Sequence, residues 1–95
     1  MITHIVTYKL SDPSPERLSH CKALLDGLLG TVPSLESLVV GINIVESPRA
    51  YDLGLIAHFE DLEGLEEYQA HPAHVEVATY LRDNTEAVST VDYEN

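Results

Sequence analysis

Positive charge is scarce in this sequence: five Lys and Arg residues stand against sixteen Asp and Glu, for a formal net charge of -11. A field of that sign repels phosphate backbones and anionic lipid surfaces, so neither nucleic acid nor membrane is expected as a partner. Cysteine occurs once, at Cys21, which rules out an internal disulfide and fits a reducing compartment. No apolar run is long enough to cross a bilayer, and Met1-Ile2-Thr3-His4 leads into a strand without a charged-then-apolar leader, so a soluble, unexported, cytoplasmic protein is expected. A glycine-rich phosphate loop, a Gly-x-Ser-x-Gly elbow, a His-Glu-x-x-His motif, low-complexity segments and internal repeats are also missing. No cofactor is expected.

What is present suits one small domain over residues 1–95. A chain of this length buries only roughly 60–65% of the surface its unfolded form exposes, so association is an economical way to enlarge its core. Residues 2–10 have the β-branched and aromatic content of a strand, with Thr3, Ile5, Thr7 and Lys9 on one face and His4, Val6 and Tyr8 on the other. Ser14-Pro15-Glu16 reads as a cap, a first-turn proline and an acid at the positive end of a helix. That helix is expected to run to Leu29, on a stripe of Leu18, Cys21, Leu24, Leu25, Leu28 and Leu29, with Gly30 as its stop.

Residues 35–45 predict a second strand, in which Gly41 suggests a bulge or a close backbone approach. Residues 51–60 predict a third, with Tyr51, Leu53, Leu55, Ala57 and Phe59 facing helices. Asp61 can cap the next helix, with Leu62, Leu65 and Tyr68 inward. Pro72 breaks that helix after His71, a further helical piece with Val75, Val77, Ala78 and Leu81 on its apolar side ends near Asn84, and residues 87–94 close the chain as a fourth strand. The order β-α-β-β-α-β is the ferredoxin-like α+β pattern, an antiparallel sheet with helices on one face. Ile5, Ile56 and Val91 then point outward, which predicts a homodimer paired through the sheet face into an eight-stranded α/β barrel.

The stretch Tyr68-Gln69-Ala70-His71-Pro72-Ala73-His74-Val75 draws chemical interest. His74 falls in the first turn after the break, where the helix end and loss of water both favour neutral imidazole, so its pKa is expected below the ordinary value of about 6.5. A bend there brings Tyr68 towards it, and a Tyr/His pair can bind a carbonyl or move a proton. The bland alternative is architectural, with both side chains closing the helix break. His71 and His74, even with His4 as a third ligand, make a weak zinc signal, and no metal site is assigned.

His4-Ile5-Val6, Tyr51-Asp52-Leu53, Phe59-Glu60-Asp61-Leu62, the Tyr68-x-x-His71-Pro72-Ala73-His74-Val75 element and Val91-Asp92-Tyr93 together resemble the stress-responsive dimeric α/β-barrel (Dabb) family over nearly the whole chain. The resemblance implies a small cytoplasmic homodimer. By similarity to the plant polyketide cyclases of that family it also implies a base at His74, assistance from Tyr68 and His4 at the pocket wall. Leu53 stands where that branch carries a further histidine, and Cys21 and Leu25 stand where it has large aromatics. A mostly apolar pocket is expected from His4, Val6 and Tyr8 of the first strand, Leu25 of the first helix, Leu53 and Leu55 of the third strand, Val75 and Leu81 after the break, and Val88 of the last strand. The expected function is binding of a small apolar or aromatic carbonyl compound, with cofactor-free lyase or cyclase chemistry; the alternative is a non-enzymatic structural or interaction role in stress.

Overall fold

Four strands and three helices follow in the order β1 (Ile2–Leu10), α1 (Pro15–Asp26), β2 (Ser37–Ile42), β3 (Leu53–Phe59), α2 (Leu62–Ala70), α3 (Pro72–Asn84) and β4 (Thr85–Glu94) in the computed structural model, which describes residues 1–95. The strands form one antiparallel sheet, ordered β2-β3-β1-β4. This is the ferredoxin-like α+β arrangement, with the second helix divided at Pro72. No helix is long and apolar enough to cross a membrane.

Register sorts the sheet into two faces. On the helix side, Ala57, His4 and Asp92 line up across β3, β1 and β4, followed by Leu55, Val6 and Thr90, then Leu53, Tyr8 and Val88. Cys21, Leu25 and Leu28 descend onto this face from the α1 side, Leu65 and Tyr68 from α2, and Leu81 from α3; all six are buried. Water is thus excluded from the central strands on that side, the main favourable term in folding. The other side carries an apolar row, Val39, Ile56, Ile5 and Val91, one residue from each strand. Val39 and Val91 are 68% and 59% exposed.

Local chemistry sets the ends of the elements. Ser14 Oγ accepts the Arg17 N–H at 3.2 Å at the start of α1, and Asp61 Oδ1 accepts the Gly64 N–H at 2.8 Å at the start of α2. Arg17 donates from Nη1 to the Tyr80 hydroxyl, at 2.9 Å, and to Asn84 Oδ1, tying the first turn of α1 to the last turns of α3.

Three expectations are corrected. α1 stops at Asp26, not Leu29: Gly27 caps it, the chain continues in tight turns with Leu28 N–H bonded to Leu25 O and Leu29 N–H to Asp26 O, and Gly30 takes a left-handed φ of 89°. Leu29 leaves the helical phase and is exposed. Gly41 makes neither a bulge nor a close approach; it sits in regular register opposite Gly54 with open space around its Cα. The irregularity lies between Lys9 and Leu10 of β1 against β4, where Asp52 Oδ2 accepts the Leu10 N–H at 2.7 Å. Leu62 is exposed, because Gly64 and Leu65 are the residues that α2 turns towards the body of the domain.

The nearest atoms to a Cβ placed on Gly64 would be Asp61 Oδ1, Phe59 Cβ and Ser34 Cβ, at 3.5, 3.6 and 3.7 Å, which are ordinary contacts. Helical glycine costs about 0.5–1 kcal/mol relative to alanine. Gly64→Ala is therefore expected to stabilise the fold by up to that amount in urea unfolding, and a loss of stability would show that α2 cannot hold its distance from β3.

Candidate functional site

Proline lacks an N–H and restricts the residue before it to extended backbone. His71, which precedes Pro72, accordingly lies at φ -64° and ψ 134°, and it serves both as the C-cap of α2 and the N-cap of α3. Its Nδ1 accepts the Ala73 N–H at 3.1 Å. In an unbroken helix that N–H would have gone to the carbonyl of Gln69, four residues back. The Gln69 oxygen is left for another donor, and His74 Nδ1–H supplies it at 3.3 Å.

This bond fixes the tautomer: with Nδ1 donating, Nε2 of neutral His74 keeps its lone pair. The ring of Tyr68 lies 4.2 Å from that of His74, and beyond it stand Phe59 at 5.0 Å and His4 at 6.1 Å from Tyr68. Burial pushes the His74 pKa below its ordinary 6.5, the bond to Gln69 opposes the fall, and His4 adds to it. The direction is the expected one, with loss of water as the leading cause. Burial also pushes the Tyr68 phenol up to about 12. Tyr8 rises further still, through burial and then the nearby Tyr68 and Cys21. Both phenols therefore remain protonated donors at neutral pH.

Beside His74 the helix face of the sheet opens into a cavity of about 300 Å³, between β1, β4, α1 and α3. Of the residues named from sequence, His4, Val6, Tyr8, Leu25, His74, Leu81 and Val88 lie on its wall. Four do not. Leu53 and Leu55 face the helices but are sealed in the core, Tyr68 is covered behind His74 against Phe59, and Val75 points outward because the inner face of α3 passes through His74, Val77, Ala78 and Leu81.

The sequence did not single out Gln69, Arg82 and Thr90 as wall residues, and it placed Val77 and Ala78 only on the apolar side of α3. It also passed over Asp92, whose carboxylate accepts a hydrogen bond from His4 Nδ1 across the β1–β4 pair. A usable signal existed: in the ferredoxin-like order the first and last strands are antiparallel neighbours, so a residue near one end of the chain meets one near the other. Asp92 orients His4 as Gln69 orients His74, and in both rings Nε2 is the nitrogen left for a ligand. His71 is occupied as a cap, His58 bonds Ser37 Oγ at 2.7 Å on the open face, and His20 packs at 5.3 Å on Tyr80 at the surface. No three potential metal ligands converge.

Fold and cavity together define a ferredoxin-like domain with a histidine-walled pocket beside the break in its second helix. The model of the stress-responsive A/B barrel domain matches residues 2–95, and the chain belongs to that family. An uncharacterised protein of Streptomyces coelicolor is 33% identical over 78 residues, covering 78% of this chain and 79% of its own. A dimeric ferredoxin-like protein of unknown function from Bacteroides fragilis superposes with a TM-score of 0.84 at 26% identity, over 99% of this chain and 95% of its own. The hydroxynitrile lyase of Passiflora edulis reaches a TM-score of 0.84 at 15% identity, over 97% and 90%. At that identity the likeness concerns the fold alone.

A histidine whose folded pKa is lowered is protonated more readily in the unfolded chain, so falling pH favours unfolding. The contribution of His74 is intact above about pH 6.5 and is lost as pH drops from there to its lowered folded value. Urea unfolding at pH 7.5 and pH 5 is expected to show a larger acid loss of stability in the native protein than in His74→Gln. Equal losses would mean that His74 titrates as it does in water.

Proposed function

We propose that the protein is a homodimer, paired through its open sheet face, that binds a small apolar or aromatic carbonyl compound in the cavity and acts on it as a cofactor-independent lyase or cyclase. The carrying observation is the His74 Nδ1–H bond to the Gln69 carbonyl in the cavity wall, which leaves a neutral imidazole with Nε2 as its free basic atom. With the ligand's carbonyl against this end of the cavity, Nε2 takes the proton from the adjacent carbon: the C–H bond breaks, an N–H bond forms, and the electron pair passes to the carbonyl as an enolate. The enolate carbon then attacks a second carbonyl, or its electron pair forms a C=C bond as the bond from the neighbouring carbon to a leaving group breaks, and the imidazolium returns the proton to the resulting alkoxide or leaving group.

His4, held by Asp92, is the second polar group at that end; in its imidazolium form, with Nδ1–H on Asp92, its Nε2–H donates to the developing oxyanion. Tyr68 acts as a positioning residue, its ring supporting that of His74. Val6, Leu25, Leu81 and Val88 supply the apolar wall that such a ligand needs. Pairing is supported by the row Val39, Ile56, Ile5 and Val91, and by the dimeric state of the similar Bacteroides fragilis protein.

A thermal-shift screen of small aromatic carbonyl compounds is expected to yield ligands that raise the melting temperature, since binding to the native state alone stabilises it. With such a substrate, His74→Gln should lower turnover by about 10²–10⁴-fold, the range typical of a lost general base, and sedimentation should still give a dimer. Ile5→Asp should give monomers. Turnover unaffected in His74→Gln contradicts the assignment of the base, and a broad screen without a single stabilising compound favours a non-enzymatic structural role.

A further inference from the structure

The cavity carries a charge pattern opposite to that of the chain. None of the sixteen acidic residues is on its wall, Asp92 standing behind it with its carboxylate taken up by His4, and one of the five cations, Arg82, is on it. Three of the other cations are engaged elsewhere: Arg17 with Tyr80 and Asn84, Lys22 with Asp26 at 2.6 Å, and Lys9 near Glu86 at 3.9 Å. Arg49 lies in the loop between β2 and β3, away from the cavity. The Nε of Arg82 is 3.8 Å from Asp83 Oδ1, an exposed contact between chain neighbours that leaves both of its Nη groups without a partner.

Position on α3 adds direction. His74, Ala78 and Arg82 recur at intervals of four and so share one face of the helix, all three on the cavity wall. Eight residues rise about 12 Å, so Arg82 and His74 stand at opposite ends of that stretch of the cavity wall.

We propose that the ligand is an organic anion, a carbonyl compound bearing a carboxylate less than about 12 Å from that carbonyl, and that Arg82 is the anchor for the carboxylate. This rests on the cavity being the ligand site. Guanidinium matches a carboxylate with two parallel hydrogen bonds, which a point charge cannot do. The anchor also supplies locally the attraction that a chain of net charge -11 otherwise denies an anion. Its job is selection among ligands, since the apolar wall and His74 are indifferent to the charge at the far end.

The test compares 4-benzoylbutyrate with its neutral primary amide, titrated by methyl NMR of Leu81 and Val88 in 0.15 M salt. Wild type is expected to bind the acid about fivefold more tightly than the amide, the ratio given by an ion pair near the top of the range for exposed sites. Arg82→Gln should bind both equally, at the affinity wild type has for the amide, and Arg82→Lys should keep part of the preference. Equal binding of the two compounds by wild type, or a preference that survives in Arg82→Gln, overturns the anchor alone. Absence of binding by either compound, with no methyl shifts at millimolar concentration, overturns the ligand site and the anchor with it.

Discussion

The restriction that Pro72 places on the backbone of His71 is the constraint on which the site depends. In a continuous helix residues six apart are separated by about 9 Å along the axis and face different ways. Here the rings of Tyr68 and His74, six apart, are 4.2 Å from each other. The break achieves this by turning His71 into extended backbone, and it also redistributes the hydrogen bonds. The Ala73 N–H goes to the His71 ring, which frees the Gln69 carbonyl for His74. Helix ends ordinarily leave such groups to water. In this molecule one of them orients an imidazole.

A second constraint is the one-sided covering of the sheet. Helices cover the face that bears His4, Val6 and Tyr8, and the three helical segments leave space over β4, where Val88 and Thr90 stay accessible. The same one-sidedness leaves the row from Val39 to Val91 without cover. Cavity and open face are thus two products of a chain too short to enclose its own sheet. The register that aligns Ile5 with Ile56 and Val91 on one face aligns His4 with Ala57 and Asp92 on the other.

Much of this was legible in the residues. Alternation in β1 and β3 identified their faces, because the period of a strand is two and burial on one side leaves a clear trace. Ser14, Asp61 and Pro72 marked helix boundaries through chemistry local to a few residues. Features that depend on tertiary placement were not legible in that way. Leu29 and Leu62 continue apolar stripes in sequence but fall at helix ends, where the chain changes direction. Val75 belongs to the quoted motif, yet helical phase hands the cavity to Val77 and Ala78. Asp92 meets His4 across 88 positions of chain and becomes visible only once the order of the strands is known. Arg82 lies eight residues beyond His74, outside the motif but on the same helical face.

The central claim is that the break at Pro72 holds His74 as neutral imidazole with the proton on Nδ1. Long-range proton–nitrogen correlation of the histidine rings at pH 7.5, assigned by comparison with His74→Gln, measures this directly. The account predicts a protonated Nδ1 and a Nε2 with the shift of a bare lone pair for His74. A ring protonated on Nε2, or one averaging freely between the two forms as in water, would contradict it.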